Sequence, residues 1–372
     1  MKLVAVLGSP APYTTPILNA LAGRLDLHVV YLASEDRVSR FDDSWGVPPE
    51  YEHSIHWARR LAIPSADLNV ELSVGVTRTL GRLDPDVLLL VSWNPAVLEP
   101  LLWARLTQRA SVMWSESTAY SGLVRGGVSA RARSSLARLF DAYVTNGTQA
   151  AGYLEQLGVR PERIVTSSLP AGRGPHDAAR ANPTPEVGMR FLFVGRLLAQ
   201  KRPVELIEAF SSVHDRIPDA TLTIVGAGEL EAEVRRAAER AENVEYVGRK
   251  EGDDLAAVYA ASDVLVLPAL REVWAIVVNE ALSHGLFVIA TDQVGSAFDL
   301  LDDDNGKVLP ATELQQLGPA LVEAATTLDR SDAARRRRAQ AVETCTPERF
   351  AADIERAAEI ALAARSSRRR RA

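Results

Sequence analysis

The stretch that decides the fold is 263-DVLVLPALREVWAIVVNEALSHGLFVIA-290. It opens with a short apolar run that ends at Pro268, continues with helical spacing from about Trp274, and closes on a second apolar run, 286-LFVIA-290. Two short apolar runs joined through a helix are typical of a βαβ unit, in which the two strands are parallel. The stretch therefore predicts a parallel sheet with helices packed on its faces.

The same alternation of short apolar runs and helical segments occurs in both halves of the chain. Strands that alternate with helices predict a mostly parallel, doubly wound sheet in each half, and hence an α/β fold with two Rossmann-like domains. The further strand candidates are 3-LVAVL-7, 27-LHVVYL-32, 87-VLLLV-91, 110-ASVMW-114, 142-AYVT-145, 163-RIVTS-167, 190-RFLFVG-195, 220-ATLTIVG-226 and 243-NVEYVG-248.

The domain boundaries follow from breaks in this pattern. A chain of 372 residues is longer than one core usually spans, and we predict a first domain at 1–170 and a second at 186–347. Between them, 171-AGRGPHDAARANPTP-185 carries three Pro, two Gly and no apolar period, which indicates a linker. Residues 348–364 have helical spacing and are predicted to pack back across the first domain, followed by a basic tail at 365–372.

The composition is that of a globular protein without membrane spans. Hydrophobic residues make up 47% of the chain and charged residues 24%, and no apolar run approaches the roughly 18 to 20 residues that a span requires. The opening 1-MKLVAVLGSP-10 is too short for a signal-peptide core, and the single cysteine, Cys345, fits a reducing compartment. The net charge of -6 disfavours general nucleic-acid binding. We therefore expect a cytoplasmic protein with no nucleic-acid partner.

Two strongly basic runs, 335-RRRR-338 and 365-RSSRRRRA-372, stand out against this acidic balance. One interpretation is a solvated helix face and a disordered end. The alternative is peripheral attraction to an anionic membrane surface at its inner face, to which each arginine contributes about 1 kcal/mol.

The loop after the strand candidate 190–194 carries two cations. In open α/β sheets, ligands bind beyond the carboxyl ends of the strands, and this loop reads 195-GRLLAQKR-202. Gly195 lets the backbone turn, and Arg196 and Lys201 follow before a helix that begins at Pro203. Cations beside a helix N-terminus suit a phosphate, and solvated loop charges are the alternative interpretation.

Two carboxylates flank the helix that begins near Trp274. Glu272 lies in the loop before its first turn and Glu280 about two turns further along, so the two side chains are about 80° apart around the axis. They can face one ligand at different depths, each accepting hydrogen bonds from hydroxyl groups. A phosphate flanked by two hydroxyl-bearing groups describes a sugar nucleotide. Ordinary surface acids are the alternative.

The segment 226-GAGELE-231 suggests a different class of enzyme, an NAD-dependent oxidoreductase. Gly226 and Gly228 match the start of a G-x-G-x-x-G fingerprint, and Glu245 stands near the spacing of the ribose-binding acid. Glu231 occupies the place of the third glycine and would put a carboxylate near the pyrophosphate. The dinucleotide interpretation is therefore the weaker one.

Residues from about 190 to 310 resemble the donor-binding domain of the retaining GT-B glycosyltransferases, specifically glycosyltransferase family four. The resemblance rests on VGRLLAQKRPVELIEAF, LTIVGAGEL, VEYVG, YAASDVLVLPAL and REVWAIVVNEALSHGLFVIATDQVGSAFDLLDDDNGKVL. It implies two Rossmann-like domains that face across a cleft, the first binding the acceptor and the second binding the donor. The activity that it implies is transfer of a sugar, with retention of anomeric configuration, from a nucleoside diphosphate to a glycan, a lipid-linked or a small-molecule acceptor.

The resemblance also implies roles for individual residues. Arg196, Lys201 and Glu272 would be catalytic, the two cations holding the diphosphate and Glu272 the transferred sugar. Glu280 would hold the ribose hydroxyls. The complete donor-binding set would be Gly195, Arg196, Lys201, Gly226, Gly248, Arg249, Glu272, Val273, Trp274, Ala275 and Glu280, with Gly248 and Arg249 bordering the base.

The chain also departs from the family pattern. Many members carry Ser and Gly where this chain has Ala269 and Ala275, which keeps open a sugar-nucleotide-binding protein without turnover. The usual Gly-Gly loop of the first domain is replaced by 8-GSPAPYTT-15. Gly8, Ser9 and Glu116 are the acceptor-side candidates, Glu116 standing where many relatives carry a His. No metal or other cofactor is expected.

Overall fold

A computed structural model of the chain describes residues 1–33, 47–63, 68–73, 75–91, 93, 95–119, 128–171 and 188–369. The described residues divide into two compact units. Unit 1 comprises Met1–Leu169 together with Thr346–Ala372, and unit 2 comprises Pro170–Cys345. Most of the predicted linker, residues 172–185, lies outside the described residues.

Unit 1 is built on a sheet of eight strands in the order β4-β3-β2-β1-β5-β6-β7-β8. Neighbouring strands are parallel except for β3 and β4, which are antiparallel. The strands are β1 (Lys2–Leu7), β2 (Asp26–Ala33), β3 (Glu52–Ile63), β4 (Leu68–Ser73), β5 (Val87–Val91), β6 (Ala110–Ser115), β7 (Ala142–Asn146) and β8 (Ile164–Ser167).

Apolar side chains from the central strands form the core of unit 1. Leu88, Leu90, Met113 and Tyr143 are inaccessible to solvent and pack in one cluster with Phe140. The helices that cover the sheet are α1 (Thr14–Ala22), α2 (Val76–Leu83), α3 (Leu98–Leu106), α4 (Val128–Ala137) and α5 (Gly147–Gln156).

The C-terminal helix α13 (Pro347–Arg369) packs on unit 1, against α1 and strands β6 to β8. Its buried stripe has helical spacing and consists of Phe350, Ala351, Ile354, Ala357, Ala358 and Ala361. The Phe350 ring lies 4.7 Å from that of Trp114. This helix is longer than predicted, because Arg365 donates hydrogen bonds to the carbonyl oxygens of Ala104 and Arg109 and pairs with buried Asp141. The prediction of a disordered end is therefore wrong for residues 365–369.

Unit 2 contains a parallel six-stranded sheet in the order β11-β10-β9-β12-β13-β14. Its strands are β9 (Arg190–Val194), β10 (Thr221–Val225), β11 (Val244–Tyr246), β12 (Val264–Leu267), β13 (Phe287–Thr291) and β14 (Gly306–Leu309). Its helices are α6 (Pro203–Val213), α7 (Glu231–Arg240), α8 (Gly252–Ala260), α9 (Ile276–Ser283), α10 (Gly295–Leu300), α11 (Leu317–Thr327) and α12 (Asp332–Gln340). In both sheets the chain reverses its direction of strand addition beside the first strand, so each is doubly wound. The predicted fold class is confirmed.

A buried charge cluster ties α12 to the sheet of unit 2. Asp263, only 2% exposed, accepts hydrogen bonds from Arg190 at 2.9 Å and from Arg335 at 2.5 Å. Burial alone would raise the pKa of Asp263, but the arginines outweigh it and lower that pKa. Arg338 is also buried and donates to the carbonyl oxygens of Gly285 and Asp329. The prediction that 335-RRRR-338 forms a solvated face is therefore wrong for Arg335 and Arg338.

Candidate functional site

The carboxyl ends of β9 and β12 lie side by side at the point where the strand order of unit 2 reverses. The loop 195–202 follows β9, and the loop 268–275 follows β12. The two loops are in contact, since the Leu270 amide donates to the Gln200 carbonyl oxygen at 2.8 Å. This edge is where a doubly wound sheet leaves a crevice for ligands.

Lys201 and Glu272 meet at this edge as an ion pair. The Lys201 side chain is 10% exposed and the Glu272 side chain 23%. Burial, and then the positive charge of Arg196, lower the pKa of Lys201 to about 8. Arg196 itself is exposed, so it can turn toward an anion. The structure thus brings together the three side chains that were predicted to be catalytic.

The glycines of 226-GAGELE-231 hold the cationic loop in place. A Cβ atom on Gly226 would lie 1.8 Å from the Gly195 carbonyl oxygen, and one on Gly228 would lie 2.5 Å from that of Leu197. The Leu197 amide also donates to the Ala227 carbonyl oxygen at 2.9 Å. Close approach of the two loops therefore accounts for both glycines, and the dinucleotide interpretation is not needed to explain them.

The loop that carries Glu272 is fixed by the segment after β13. Glu272 forms an isolated parallel bridge with Val294, and its amide donates to the Gln293 carbonyl oxygen at 2.9 Å. The Gly295 amide donates back to the Glu272 carbonyl oxygen, and a Cβ atom on Gly295 would lie 2.0 Å from the Val273 carbonyl oxygen. Only glycine permits this approach, so Gly295 is a positioning residue that the sequence motifs did not reveal.

Ala275 lies before α9 with φ of 70°, in the left-handed region that favours glycine. Helix α9 consequently begins at Ile276 instead of the predicted Trp274. From the apolar run alone, Val273, Ile276 and Val277 would be expected to bury the helix against the sheet, yet all three are partly exposed. The buried side is formed by Trp274, Val278, Ala281 and Leu282.

The left-handed conformation of Ala275 predicts a difference between two substitutions. Ala275→Gly and Ala269→Gly each remove a buried methyl group and add chain entropy to the unfolded state. Only Ala275→Gly also relieves left-handed strain, which is about 1 to 2 kcal/mol for a residue other than glycine. The free energy of unfolding in urea should therefore be higher for Ala275→Gly than for Ala269→Gly by about that amount. Equal destabilisation would show that position 275 carries no strain.

Glu280 lies along α9 and is supported by a buried aromatic pair. Its carboxylate accepts a hydrogen bond from the Tyr259 hydroxyl at 2.7 Å, and the Tyr259 ring stacks on His284 with centroids 5.2 Å apart. Burial raises the pKa of Glu280, and the Tyr259 hydrogen bond offsets part of that effect. Tyr259 leaves the second carboxylate oxygen for a ligand to use, and it was not predicted as a site residue.

The remaining predicted donor residues lie around the same edge. Gly248 follows β11, and its carbonyl oxygen accepts from the Gly226 amide at 2.9 Å. Arg249 is exposed and pairs with Glu251. The Trp274 indole is buried and donates to Asn279, so only the backbone of Trp274 can contribute to a ligand site.

The acceptor-side candidates of unit 1 lie after strands β1 and β6, which are separated in the sheet by β5. Gly8 and Ser9 follow β1, and Glu116 follows β6. Asn146, at the end of β7, donates to Glu116 at 3.0 Å and accepts from the Trp114 indole at 2.9 Å. Burial raises the pKa of Glu116, and the Glu116 charge followed by burial raises the pKa of Tyr13. Tyr13 and Asn146 join this site although no motif pointed to them.

The described part of the chain contains neither a metal-binding cluster nor a membrane-spanning helix. Within it, no group of three or more His, Cys, Asp or Glu side chains is arranged to hold a metal ion. Of the helices described, none is both long and apolar enough to cross a membrane.

Residues 177–337 match the family described as Glycosyl transferases group 1. Among curated proteins, the chain is 34% identical over 136 residues to a GDP-mannose-dependent monoacylated alpha-(1-6)-phosphatidylinositol monomannoside mannosyltransferase of Corynebacterium glutamicum, covering 34% of this chain and 35% of that protein. It is 32% identical over 116 residues to the sulfoquinovosyl transferase SQD2 of Arabidopsis thaliana, covering 31% and 22%. The matches thus span about a third or less of these relatives' lengths.

Solved structures share the fold over nearly the whole chain. The apo form of the lipopolysaccharide outer core galactosyltransferase WaaB has a TM-score of 0.73 at 13% identity, covering 96% of this chain and 99% of that one. Anabaena Alr3699/HepE in complex with UDP has a TM-score of 0.66 at 17% identity, covering 99% and 98%. At these identities the likeness concerns the fold, which is that of the GT-B glycosyltransferases.

Proposed function

We propose that the chain transfers a sugar from a nucleoside diphosphate to an acceptor. The match of residues 177–337 to the glycosyl transferases group 1 family supports this proposal. The observation that carries the proposal is the convergence of Arg196, Lys201 and Glu272 where β9 and β12 end, with Glu280 further along α9. Two cations suit a diphosphate, and two carboxylates suit the hydroxyls on either side of it. HepE, a structure of similar fold, has been solved in complex with UDP and in complex with UDP-glucose, which is consistent with this donor class.

The cations act on the leaving group. Cleavage of the bond between the anomeric carbon and the diphosphate develops negative charge on the departing oxygen. Arg196, Lys201 and the amide groups at the start of α9 stabilise this charge. Because a lysine with a pKa of about 8 is still largely protonated near neutral pH, Lys201 can serve as such a cation.

On binding, the donor displaces the contact between Lys201 and Glu272. The diphosphate binds Lys201, and the sugar hydroxyls donate hydrogen bonds to Glu272. Each side chain therefore exchanges one charge-assisted contact for another. Glu272 is bound to hydroxyls in this role, and we assign no covalent nucleophile. We propose retention of anomeric configuration through a front-face path, in which the leaving phosphate accepts the acceptor proton, and a reaction that requires no metal.

We assign acceptor binding to the cluster after β1, β6 and β7 of unit 1. Glu116, Asn146 and Tyr13 together offer hydrogen-bond acceptors and donors for sugar or inositol hydroxyls. Gly8 and Ser9 lie in the same loop as Tyr13, between β1 and α1. The Corynebacterium glutamicum relative acts, by its name, on a monoacylated phosphatidylinositol monomannoside. A glycan or a small molecule offers the same hydroxyl chemistry.

Glu280→Gln tests the donor assignment. Loss of the carboxylate should weaken nucleotide binding by about 1.5 to 3 kcal/mol, the usual contribution of a hydrogen bond to a charged group. Isothermal calorimetry with the matching nucleoside diphosphate measures this directly, with Glu208→Gln on the exposed face of α6 as the control. Because burial raises the pKa of Glu280, wild-type affinity should also fall on acidification at a higher pH than for an ordinary glutamate. Unchanged nucleotide affinity in Glu280→Gln would refute the assignment of Glu280 to the ribose hydroxyls.

A sugar-nucleotide-binding protein without turnover is the second candidate. Ala275 favours it, because the family resemblance implies glycine at this position and an added methyl group would crowd the donor there. Ala269 does not, since it is fully buried and its carbonyl oxygen accepts from Thr291. Hydrolysis or transfer of the bound donor distinguishes the two candidates.

A further inference from the structure

Helix α8 places one tyrosine against the carboxylate that is assigned to the ribose. Tyr259 lies in the last turn of α8 and is 1% exposed, so its side chain is shielded from water. Its hydroxyl donates to one carboxylate oxygen of Glu280 at 2.7 Å. In the described part of the chain, no other side chain donates to this carboxylate. The protein therefore holds one oxygen of Glu280 and leaves the other for a ligand.

His284 fixes the Tyr259 ring in turn. The two rings are stacked, with centroids 5.2 Å apart and an angle of 24° between their planes. His284 is 6% exposed, and its Nδ1 donates to the backbone carbonyl oxygen of Glu280 at 2.8 Å. Burial lowers the pKa of His284, so the imidazole is neutral at neutral pH and adds no charge beside the carboxylate. The tyrosine hydroxyl thus meets Glu280 in one fixed position.

The oxygen that Tyr259 leaves free suits a pair of neighbouring hydroxyls. A carboxylate oxygen has two lone pairs, so the free oxygen of Glu280 can accept hydrogen bonds from both the 2′- and the 3′-hydroxyl of a ribose. Glu280 is partly buried, and burial raises its pKa because its charge is poorly solvated there. A ligand without one hydroxyl would leave this charge short of a hydrogen bond that water replaces poorly. The carboxylate can therefore distinguish ribose from deoxyribose.

We infer that Tyr259 is a positioning residue that makes the donor site select ribonucleotides and reject 2′-deoxyribonucleotides. The inference rests on the proposed donor site, and it adds both the sugar of the nucleotide and a residue that selects it. Tyr259 is buried and reaches the ligand through Glu280, whose orientation its hydroxyl fixes. A site built to bind a hydroxyl rejects an analogue that lacks it, because the polar group of the site is then left unpaired.

Calorimetry of the full chain with UDP, GDP, ADP and CDP, each beside its 2′-deoxy counterpart, tests this role. For the base that binds, the wild type should prefer the ribonucleotide about tenfold or more, the effect of one hydrogen bond to a charged group. Tyr259→Phe keeps the ring and removes the hydroxyl, and it should lower this preference about fivefold or more. Tyr143→Phe is the matched control, because it removes a buried hydroxyl that donates to the Ala137 carbonyl oxygen in unit 1. Its preference should equal that of the wild type.

Two further measurements separate positioning from a purely structural role. In sugar transfer, Tyr259→Phe should raise the KM for the donor about fivefold and leave kcat within about twofold, because Tyr259 acts on binding and not on the reacting atoms. Added to Glu280→Gln, the same substitution should change the preference for the ribonucleotide no further than Glu280→Gln does by itself. Such non-additivity is expected when one residue acts through the other.

The possible failures are distinguishable. A wild type that binds a ribonucleotide and its 2′-deoxy counterpart equally well would overturn the inference and leave the donor site in place. An unchanged preference in Tyr259→Phe would assign the tyrosine to packing alone. Absence of binding by all of the ribonucleoside diphosphates would contradict the proposed function itself, and the inference with it. Because the preference is a ratio of two affinities in one variant, partial unfolding of Tyr259→Phe does not alter it.

Discussion

Arg196→Ala should lower kcat/KM for sugar transfer by about 10²-fold or more, the scale of losing one preorganised contact to a charged transition state. Burial lowers the pKa of Lys201, and the charge of exposed Arg196 lowers that pKa further. Arg196 is thus placed to meet the second charge of a diphosphate whose first charge Lys201 holds. The effect should appear mainly in kcat, because the negative charge grows as the bond to the sugar breaks.

Steady-state kinetics with the donor that the protein binds measures this loss. Arg236→Ala is the matched control, because Arg236 is an exposed arginine on α7 of the same unit. Arg196 is on the surface, so its removal should leave the melting temperature unchanged. Near-normal kcat/KM in Arg196→Ala would refute the role assigned to the loop after β9.

Glu272→Gln should have two effects of opposite sign. Transfer should fall by about 10²-fold, because the hydroxyls of the sugar lose a charged partner that positions the anomeric carbon. The affinity for a nucleoside diphosphate without sugar should rise by about fivefold, because the diphosphate no longer competes with Glu272 for Lys201. An ion pair of this kind contributes about 1 kcal/mol. Ground-state binding and turnover thus separate in one variant.

Calorimetry with the nucleoside diphosphate and kinetics with the complete donor give the two numbers. Glu323→Gln is the control, because Glu323 on α11 also pairs with a lysine, Lys307, but is exposed and not among the predicted site residues. Weaker diphosphate binding in Glu272→Gln would mean that the Lys201–Glu272 pair assists the diphosphate instead of competing with it.

The convergence of the donor residues could be predicted from the sequence. Arg196 and Glu272 each follow a strand of a parallel sheet, and the carboxyl ends of such strands share one edge. The direct contact between Lys201 and Glu272 could not be predicted, because it depends on how the loops 195–202 and 268–275 pack on each other.

Three strands escaped prediction for identifiable reasons. Strand β3 carries charged and aromatic residues without a continuous apolar run, and β4 pairs with it in the antiparallel direction at the end of the sheet. Strand β14 is four residues long and begins with Gly306. Strands of this kind are defined by their neighbours more than by their own pattern.

Long-range pairing explains the remaining differences. The sequence predicts Arg335 and Arg338 as surface charges, because a run of arginines is usually solvated. In the folded chain, however, Arg335 binds Asp263, which lies 72 positions away in the sequence. Asn146 joins Glu116 across 30 positions in the same way. The left-handed backbone conformation at position 275 is a local feature, but the sequence would have predicted it only if the residue were glycine.

The central claim is that unit 2 binds a nucleoside diphosphate sugar where β9 and β12 end. Thermal unfolding in the presence of UDP-, GDP-, ADP-, CDP- and dTDP-sugars tests it most directly, because a ligand of the folded state adds about 2.7 kcal/mol of stability at a hundred times its Kd. We predict that at least one of these donors raises the Tm of the wild type and that Glu280→Gln removes most of the rise. If no donor raises the Tm of the folded wild type, the claim is contradicted.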